Sequence, residues 1–306
     1  MQMSSITVIL NSGATLEEKI KLEELITRAF ANAQCECSIV NIKGNEDIGR
    51  VCEDLVIKAR AHNAIIVAAG GDGTVNTIAG LCYRHGVTMG VIPLGTFNYF
   101  ARELLIPTTI DEAVTVIAGG WSRRVSIGLM QDRVFLNNAS FGLYTKLIRQ
   151  REQASSHFGR IRIIAAAAAV YSLFHRHKLF SVIISGLEGE ETHYTPMVFV
   201  GNNTLQLENL GMELADCTKQ DRLAVVVMQP MTRLETSALL LLGALGKLRY
   251  QSKLSAYCAD DFEVTSRRKT IELVIDGEII TCQTPLKFRV EKHALSVVVP
   301  QPAAEE

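Results

Sequence analysis

The chain has no surplus of charge of either sign, since 31 Lys and Arg residues stand against 32 Asp and Glu residues in 306. Proteins that bind nucleic acids normally carry a basic surplus, so this balance gives no electrostatic case for a nucleic-acid partner. Hydrophobic residues make up 48% of the chain and charged residues 21%, which is typical of folded globular proteins. The length is sufficient for two hydrophobic cores.

Long hydrophobic runs are missing as well. The apolar stretches at residues 163–173 and 238–245 fall well short of the ~18–20 residues that a membrane-spanning helix needs. We therefore expect no transmembrane segment and interpret these stretches as buried or interfacial helices. The first precedes a basic cluster at residues 175–178 (HRHK). An apolar stretch followed by basic residues suits a peripheral contact with anionic lipid, and core helices with solvated charged ends are the alternative.

Cysteine provides no framework of its own. The seven cysteines are an odd number without regular spacing, and the pair Cys35 and Cys37 lacks the second pair or the histidines that a zinc site needs. We expect reduced thiols, as in the cytosol. The first ten residues lack the basic segment and the small-residue cleavage site of a secretion signal. The expected location is therefore cytoplasmic.

The first third of the chain alternates strand and helix patterns. Apolar, β-branched runs at residues 6–10, 37–42, 64–69 and 87–92 predict strands, and apolar residues at helical spacing predict helices over residues 16–33 and 48–61. Uniformly apolar strands between helices indicate a parallel sheet that is covered on both faces. The fold class predicted for this part is α/β, with a doubly wound parallel sheet.

The pattern changes near residue 122, where short strands begin to dominate. Strands are predicted at residues 134–138, 180–185, 197–201, 223–228, 271–275, 286–290 and 295–299, with helices over 142–175 and 232–248. Many short strands after an α/β block indicate a second, mainly antiparallel β-sandwich domain with helices. We expect domains at residues 1–125 and 126–290, with the C-terminal strand 291–300 returning to the first.

The densest motif is a glycine turn at residues 68–76 (AAGGDGTVN), which follows an apolar strand and opens a helix. Glycines let backbone N–H groups approach a ligand, and the positive end of the helix dipole favours an anion at the same place. The spacing is neither that of a P-loop nor G-x-G-x-x-G. Asp72 would repel a polyphosphate unless a divalent cation or a ribose hydroxyl intervenes. The turn therefore predicts a nucleotide with Mg²⁺, and an ordinary tight turn is the alternative.

A second turn of the same kind follows the next predicted strand. Residues 92–98 (IPLGTFN) again lead into a helix. In a doubly wound sheet, ligands bind at the carboxyl ends of neighbouring strands, so both turns should face one crevice.

Together these motifs resemble the catalytic domain of the diacylglycerol-kinase family. G-G-D-G-T-x-N is followed by P-L-G-T-x-N, and residues 11–13 (NSG), 135–139 (FLNNA) and 275–278 (IDGE) also match the family pattern. The resemblance covers nearly all of residues 5–300. This family includes bacterial lipid kinases and sphingosine and ceramide kinases, and is distantly related to NAD kinases.

The resemblance implies a nucleotide-binding role for the first domain and a lipid-substrate role for the second. The implied nucleotide-side residues are Asn11, Asn41, Gly70, Gly71, Asp72, Gly73, Thr74, Asn76, Thr77, Gly95, Thr96 and Asn98. It also implies that Glu278 is the general base for the lipid hydroxyl and that Asp276 supports it, since an alcohol is a poor nucleophile until its proton is accepted. The alternative for this segment is an ordinary Asp-Gly hairpin turn, which is compatible with a role for Glu278 as the general base.

Bacterial relatives also imply a structural Mg²⁺ site, formed here by Asp221 with the carbonyls of Thr218 and Leu223. Arg222 stands where the family usually has glycine, and its cation would compete with a metal. Further departures are Ser126 for an aspartate, Thr77 for a glutamate, and Phe97 and Tyr99 for the glycine and aspartate of G-T-G-N-D. Because these changes remove acidic side chains near the metal-nucleotide site, a degenerate kinase without catalytic activity is an alternative.

The leading hypothesis is thus an ATP- and Mg²⁺-dependent kinase of a lipid alcohol such as diacylglycerol, which reaches its substrate by peripheral contact with a membrane. An NAD-kinase-like enzyme that acts on a soluble hydroxyl and a nucleotide-binding regulatory protein without catalysis are the alternatives. The sequence does not name the lipid. The sequence does not determine the oligomeric state either, and a homodimer is one of the alternatives.

Overall fold

The computed structural model describes residues 5–13, 15–42, 48–143, 145, 179–186, 189–212, 214–244, 247 and 253–302. The chain divides into two compact units: unit 1 comprises residues 1–127 and 291–306, and unit 2 comprises residues 128–290. The basic cluster 175–178 and most of the predicted helix 142–175 lie outside the described residues. No helix in the described ranges is long and apolar enough to span a bilayer.

Unit 1 is built on parallel strands. Its elements up to residue 119 are β1 (Ile6–Asn11), α1 (Leu16–Asn32), β2 (Cys37–Asn41), α2 (Ile48–Ala61), β3 (Ile65–Gly70), α3 (Asp72–His85), β4 (Met89–Pro93), α4 (Tyr99–Glu103) and α5 (Ile110–Gly119). The strands lie in the order β2–β1–β3–β4, and every neighbouring pair is parallel. The non-consecutive order requires helical crossovers, as in doubly wound sheets.

Local sequence explains where these helices begin and end. Thr15 caps α1, because its hydroxyl accepts the N–H of Glu18 while the Glu18 carboxylate accepts the N–H of Thr15. Helix α3 ends at Gly86, whose φ of 64° is a left-handed conformation that glycine adopts without strain. The buried strand β3 is apolar throughout, which fits a central position between β1 and β4.

The remaining elements belong mainly to unit 2. The strands are β5 (Ser122–Met130), β6 (Arg133–Phe135), β7 (Asn138–Gly142), β8 (Phe180–Ser185), β9 (Glu190–Thr195), β10 (Met197–Gly201), β11 (Leu223–Met228), β12 (Leu254–Ala259), β13 (Asp261–Ser266), β14 (Thr270–Ile275), β15 (Glu278–Gln283) and β16 (Leu286–Val298), and the helices are α6 (Thr204–Leu210), α7 (Ala215–Lys219) and α8 (Arg233–Ala244).

Two layers of antiparallel strands enclose the core of unit 2. One layer has the strand order β12–β11–β10–β7–β14–β15, and the other contains β9, β8, β13 and the first residues of β16. Phe141, Val198 and Leu273 of the first layer share a buried cluster with Phe262 and Phe288 of the second. The last residues of β16 lie in unit 1, where Val297 pairs in parallel with Met89. The predicted fold class, α/β with a parallel first domain and an antiparallel second one, is confirmed.

Some elements differ from the patterns in the sequence. The predicted strand 134–138 is two strands, β6 and β7, separated by a bend, and the predicted strands 286–290 and 295–299 are one continuous strand, β16. Strand β9 (EETHYT) was not predicted, because most of its side chains are polar and exposed and no apolar pattern marks it.

One structural feature contradicts the expectation of reduced thiols throughout. A disulfide bond joins Cys217 and Cys258, whose Cα atoms are 5.3 Å apart, and the other five cysteines are free. The two partners are 41 residues apart in sequence. No spacing rule identifies such a pair, because their proximity depends on the packing of α7 against β11, the strand that pairs with β12.

Candidate functional site

The predicted nucleotide-side residues lie along one edge of the unit 1 sheet. In the strand register, Asn11 is opposite Gly70 and Gly70 is opposite Pro93, while Asn41 is opposite Leu10. The carboxyl ends of β1, β2, β3 and β4 therefore meet at the same level, where open α/β sheets bind their ligands. Asn11 donates from its side-chain amide to the Thr74 hydroxyl at 2.9 Å, which links the end of β1 to the start of α3.

The two glycine turns pack directly against each other. A Cβ atom on Gly95 would lie 2.8 Å from the Gly71 Cα, and a Cβ atom on Gly70 would lie 2.7 Å from the Asn11 carbonyl oxygen. Side chains do not tolerate such approaches, so both positions require glycine. The Leu94 N–H also donates to the Gly70 carbonyl at 2.9 Å. The turns after β3 and β4 are consequently packed together as a pair.

Asp72 joins the two glycine turns by hydrogen bonds. Its two carboxylate oxygens accept the backbone N–H groups of Asn98 and Tyr99, each at 3.0 Å. Asn98 adopts a left-handed conformation with φ of 49°, and its side chain exchanges hydrogen bonds with the N–H and the carbonyl of Gly95. Burial, opposed by Arg102 and reinforced by Asp72, raises the pKa of Tyr99. The sequence suggests Asp72 as a neighbour of a cation; the structure uses its carboxylate to fix the second turn.

The first turn of α3 is suited to an anion. Its N-cap position is Gly71, which has no side chain to accept the first N–H groups of the helix. Gly73 is exposed, and a Cβ atom there would meet nothing within 4 Å, so the backbone at this point is open to a ligand. Together with the helix dipole, these N–H groups form a site that favours phosphate oxygens.

The other predicted residues of this site have varied surroundings. Thr96 is exposed beside Gly95. Thr77 donates its hydroxyl to the Gly73 carbonyl inside α3, at 2.9 Å. The Asn41 amide donates to the Glu23 carboxylate of α1, so its side chain already has a partner within unit 1.

The D-G-E segment of unit 2 forms the two-residue turn between β14 and β15. Asp276 and Gly277 have φ of 46° and 92°, and Ile275 pairs with Glu278 across the turn. Positive φ at both central residues is the geometry of a tight β-hairpin, for which Asp-Gly is a favoured sequence. Glu278 is exposed at the first position of β15. Its carboxylate is therefore held by a short turn and accessible from solvent.

Asp276 anchors this hairpin to the start of β7. Its carboxylate accepts the backbone N–H groups of Leu136 at 2.6 Å, Asn137 at 2.9 Å and Asn138 at 2.8 Å, and its own N–H donates to the Asn138 carbonyl at 2.9 Å. Hydrogen bonds to an ionised acceptor are the stronger kind. The geometry makes Asp276 a positioning residue for the turn that carries Glu278.

Two of the residues implied for the structural Mg²⁺ site, Thr218 and Asp221, are hydrogen-bonded to each other through their backbones, and a metal ion there stays a prediction. Thr218 donates its hydroxyl to the Ala215 carbonyl, and the Thr218 carbonyl accepts the N–H of Asp221. Among Thr218, Asp221 and Leu223, only Asp221 has an acidic side chain, and the described residues contain no cluster of three His, Cys, Asp or Glu side chains that could hold a metal. The Arg222 guanidinium donates to the Cys258 carbonyl and lies 3.3 Å from the Asp260 carboxylate.

Comparison with known proteins agrees with this geometry. Residues 5–130 match the family model of the diacylglycerol kinase catalytic domain. A diacylglycerol kinase of Staphylococcus saprophyticus is 38% identical over 104 residues, which are 33% of this chain and 34% of that protein. A diacylglycerol kinase of Staphylococcus carnosus is 44% identical over 85 residues, 27% of this chain and 28% of that protein. The chain thus aligns with about a third of the length of these curated relatives.

Solved structures extend the fold comparison to the whole chain. Two crystal structures from Bacillus anthracis strain Sterne, one described as that of a diacylglycerol kinase, have TM-scores of 0.71 and 0.75 and cover 98% of both chains. Their sequence identities are 19% and 18%. At this identity the likeness establishes a common fold for both units of this chain, and nothing beyond the fold.

The departures from the diacylglycerol kinase pattern also have structural roles. Ser126 accepts the N–H of His293 with its hydroxyl, at 3.1 Å, within unit 1. Phe97 and Tyr99 stack with ring centroids 5.8 Å apart and planes inclined by 15°. The aromatic pair therefore replaces a glycine and an acidic residue of the commoner family motif with an apolar contact. The sequence shows these departures but not the stacking of the two rings, which is visible only in three dimensions.

Proposed function

We propose that this chain is a lipid kinase that transfers the γ-phosphate of ATP to the hydroxyl of a lipid alcohol such as diacylglycerol, with Mg²⁺. The observation that carries the proposal is the joining of the two glycine turns by Asp72, inside the region that matches the diacylglycerol kinase catalytic domain. In this assignment unit 1 binds the nucleotide and unit 2 binds the lipid.

The nucleotide-side residues supply donors rather than covalent chemistry. Phosphoryl transfer depends mainly on positioning and charge stabilisation. The open N–H groups at the start of α3 and the exposed Thr96 would hold phosphate oxygens, and Asp72 would keep the two turns at a fixed separation. Mg²⁺, when bound with ATP, offsets the phosphate charge that would otherwise repel Asp72.

The substrate-side residue is Glu278. Its carboxylate would accept the proton of the lipid hydroxyl while the hydroxyl oxygen forms a bond to the γ-phosphorus and the bond from that phosphorus to the bridging oxygen breaks, releasing ADP. Exposure of Glu278 on a turn anchored by Asp276 supports this role.

Helix α8 supports a peripheral contact with the lipid surface. Leu234 and Leu241 are 74% and 47% exposed, whereas Thr236 and Ser237 are buried and return their hydroxyls to backbone carbonyls one turn earlier. A helix of a water-soluble protein normally buries its leucines and exposes its polar residues. Helix α8 also buries Leu239, so it is the two exposed leucines that suit an apolar environment such as a membrane interface.

The test is ATP-dependent incorporation of phosphate into a panel of lipid alcohols in mixed micelles, with Mg²⁺ and with a chelator. We expect one lipid to be labelled and the label to disappear on chelation. Glu278→Gln should abolish turnover and preserve ATP binding, and Glu190→Gln, at an exposed position on β9, should behave as the parent chain. Lipid phosphorylation by the Glu278→Gln variant would show that Glu278 is not the general base. ATP binding without transfer to any lipid or soluble hydroxyl would favour the regulatory protein instead.

A further inference from the structure

The disulfide between Cys217 and Cys258 lies in unit 2 and includes none of the candidate site residues. Cys217 in α7 is only 2% exposed and packs with Phe199, Leu207 and Val226. Cys258 in β12 is exposed. The bond therefore joins a buried residue of a short helix to an accessible residue of a strand.

Polar contacts join helices α6 and α7 to each other. Lys219 forms an exposed ion pair with Glu208 at 2.9 Å, and the Thr218 hydroxyl contacts the Thr204 hydroxyl at 2.9 Å. Exposed ion pairs stabilise little, and helices as short as these do not persist without tertiary contacts. Apolar packing and hydrogen bonds hold this segment against the sheet, and the disulfide adds a covalent link to β12.

The disulfide and the D-G-E turn lie at the same end of one sheet. In the strand register, Cys258 is opposite Ala224, Gly201 is opposite both Ala224 and Asn138, and the Asn138 carbonyl accepts the N–H of Asp276. The strand ends at this edge therefore run in hydrogen-bonded order from the disulfide to the anchored hairpin.

Helix α6 provides a second connection along this edge. Its Gln206 side chain accepts from the Asn138 amide at 2.9 Å, and the Asn203 side chain caps the helix at 2.7 Å. The N–H groups of Asn202 and Asn203 also donate to the Asn137 carbonyl. The residues whose N–H groups hold the Asp276 carboxylate are thus themselves held by the segment that the disulfide restrains.

We propose that the Cys217–Cys258 disulfide is a redox-controlled link that fixes the substrate-side hairpin, and that a dithiol reductant opens it. The thiolate of the reductant attacks Sγ of Cys258, the more exposed of the two residues, the bond between the two cysteine sulfurs breaks, and Cys217 leaves as a thiolate that takes up a proton. The second thiol of the reductant then displaces Cys258, so two electrons and two protons reach the protein and the reductant becomes a disulfide.

This inference rests on the proposed function only for its effect on turnover. Opening the link frees α7 from β12, which loosens α6 and the backbone groups of residues 136–138 that hold Asp276. We expect turnover on the lipid to fall by about 2- to 30-fold, the size usual for coupling through packed networks. The disulfide and the Arg222 contacts lie beside the residues implied for a metal.

The first measurement is a thiol titration of the full chain, denatured after purification without reductant. Five reactive thiols are expected from the intact link, and reduction should raise the number to seven. Seven thiols before reduction would overturn the proposal.

Amide hydrogen exchange and turnover then test the consequence. Reduction, and the variant Cys258→Ser in the absence of reductant, should speed exchange over residues 204–219 and 136–138 and slow turnover. Cys282→Ser, a free cysteine on β15, is the matched control and should keep the full response to reductant. Exchange that is unchanged at residues 136–138 after reduction would refute the coupling to the hairpin. Because thiol titration and exchange need no catalysis, a chain with no lipid kinase activity would contradict the proposed function and leave these tests of the link intact.

Discussion

The Asp72 carboxylate allows a direct test of how the two glycine turns are held together. Asp72→Asn keeps the size and shape of the side chain but leaves one acceptor oxygen and places an NH₂ group against a backbone N–H. One of the hydrogen bonds to Asn98 and Tyr99 is lost, together with the negative charge that strengthens the other. We therefore predict that Asp72→Asn lowers the free energy of unfolding of unit 1, independently of its effect on catalysis.

The magnitude follows from the surroundings of Asp72. A hydrogen bond to a charged group stabilises a folded protein by about 1.5–3 kcal/mol, and Asp72 is half-buried, so the lower half of this range applies. A destabilisation of about 1.5–2 kcal/mol corresponds to a drop in melting temperature of roughly 3–8 °C for a domain of this size. Asp72→Ala removes both bonds and should cost about twice as much.

The assay is urea unfolding monitored by the fluorescence of Trp121, the single tryptophan of the chain, which lies in unit 1. Asp54→Asn on the exposed face of α2 is the matched control and should leave the unfolding midpoint unchanged. ATP binding should weaken for Asp72→Asn at every Mg²⁺ concentration. An unchanged midpoint, combined with ATP binding that is lost only when Mg²⁺ is present, would refute the reasoning and identify Asp72 as a residue that acts through the metal.

Three further predictions concern other parts of the chain. Gly95→Ala should destabilise unit 1, since its Cβ would lie 2.8 Å from a neighbouring Cα, whereas Gly73→Ala should leave the unfolding midpoint unchanged and weaken ATP binding, measured by calorimetry. Burial raises the pKa of Cys82 to about 12, so its thiolate is scarce at pH 8 and iodoacetamide should label it only after unfolding, as read by mass spectrometry. Replacing Leu234 and Leu241 by Ser should reduce sedimentation with anionic vesicles, while replacing two exposed leucines of α1 should not.

Much of the fold could be predicted from the chain because its signals are local. The helix at residues 48–61 has the bounds that apolar spacing predicts, and the buried strand β3 was predicted from an unbroken apolar run. Strands with few apolar residues, such as β9, give no such signal. The pairing of Cys217 with Cys258 could not be predicted either, since it depends on the register of β11 and β12 and on where α7 packs.

The sequence predicts which residues form the candidate site, but it predicts the role of each residue less well. Glycines 70 and 95 stand where a Cβ would collide with a neighbouring turn, which agrees with the view that these motifs require close backbone approach. The carboxylate of Asp72, by contrast, suggests a cation when only the sequence is known, and hydrogen bonding to Asn98 and Tyr99 is visible only in three dimensions.

Asp72 and Asp276 use their carboxylates in the same way, although they belong to different units. Each accepts backbone N–H groups of a separate segment, residues 98–99 for Asp72 and residues 136–138 for Asp276, and so fixes a turn that carries motif residues. Both carboxylates are thus engaged by backbone N–H groups, which makes them positioning residues for the turns. Among the acidic residues of the three motifs, Glu278 is the exposed one, and a base must be reachable by its substrate. This division of roles explains why one acidic side chain, rather than a cluster, suffices for the proposed proton transfer.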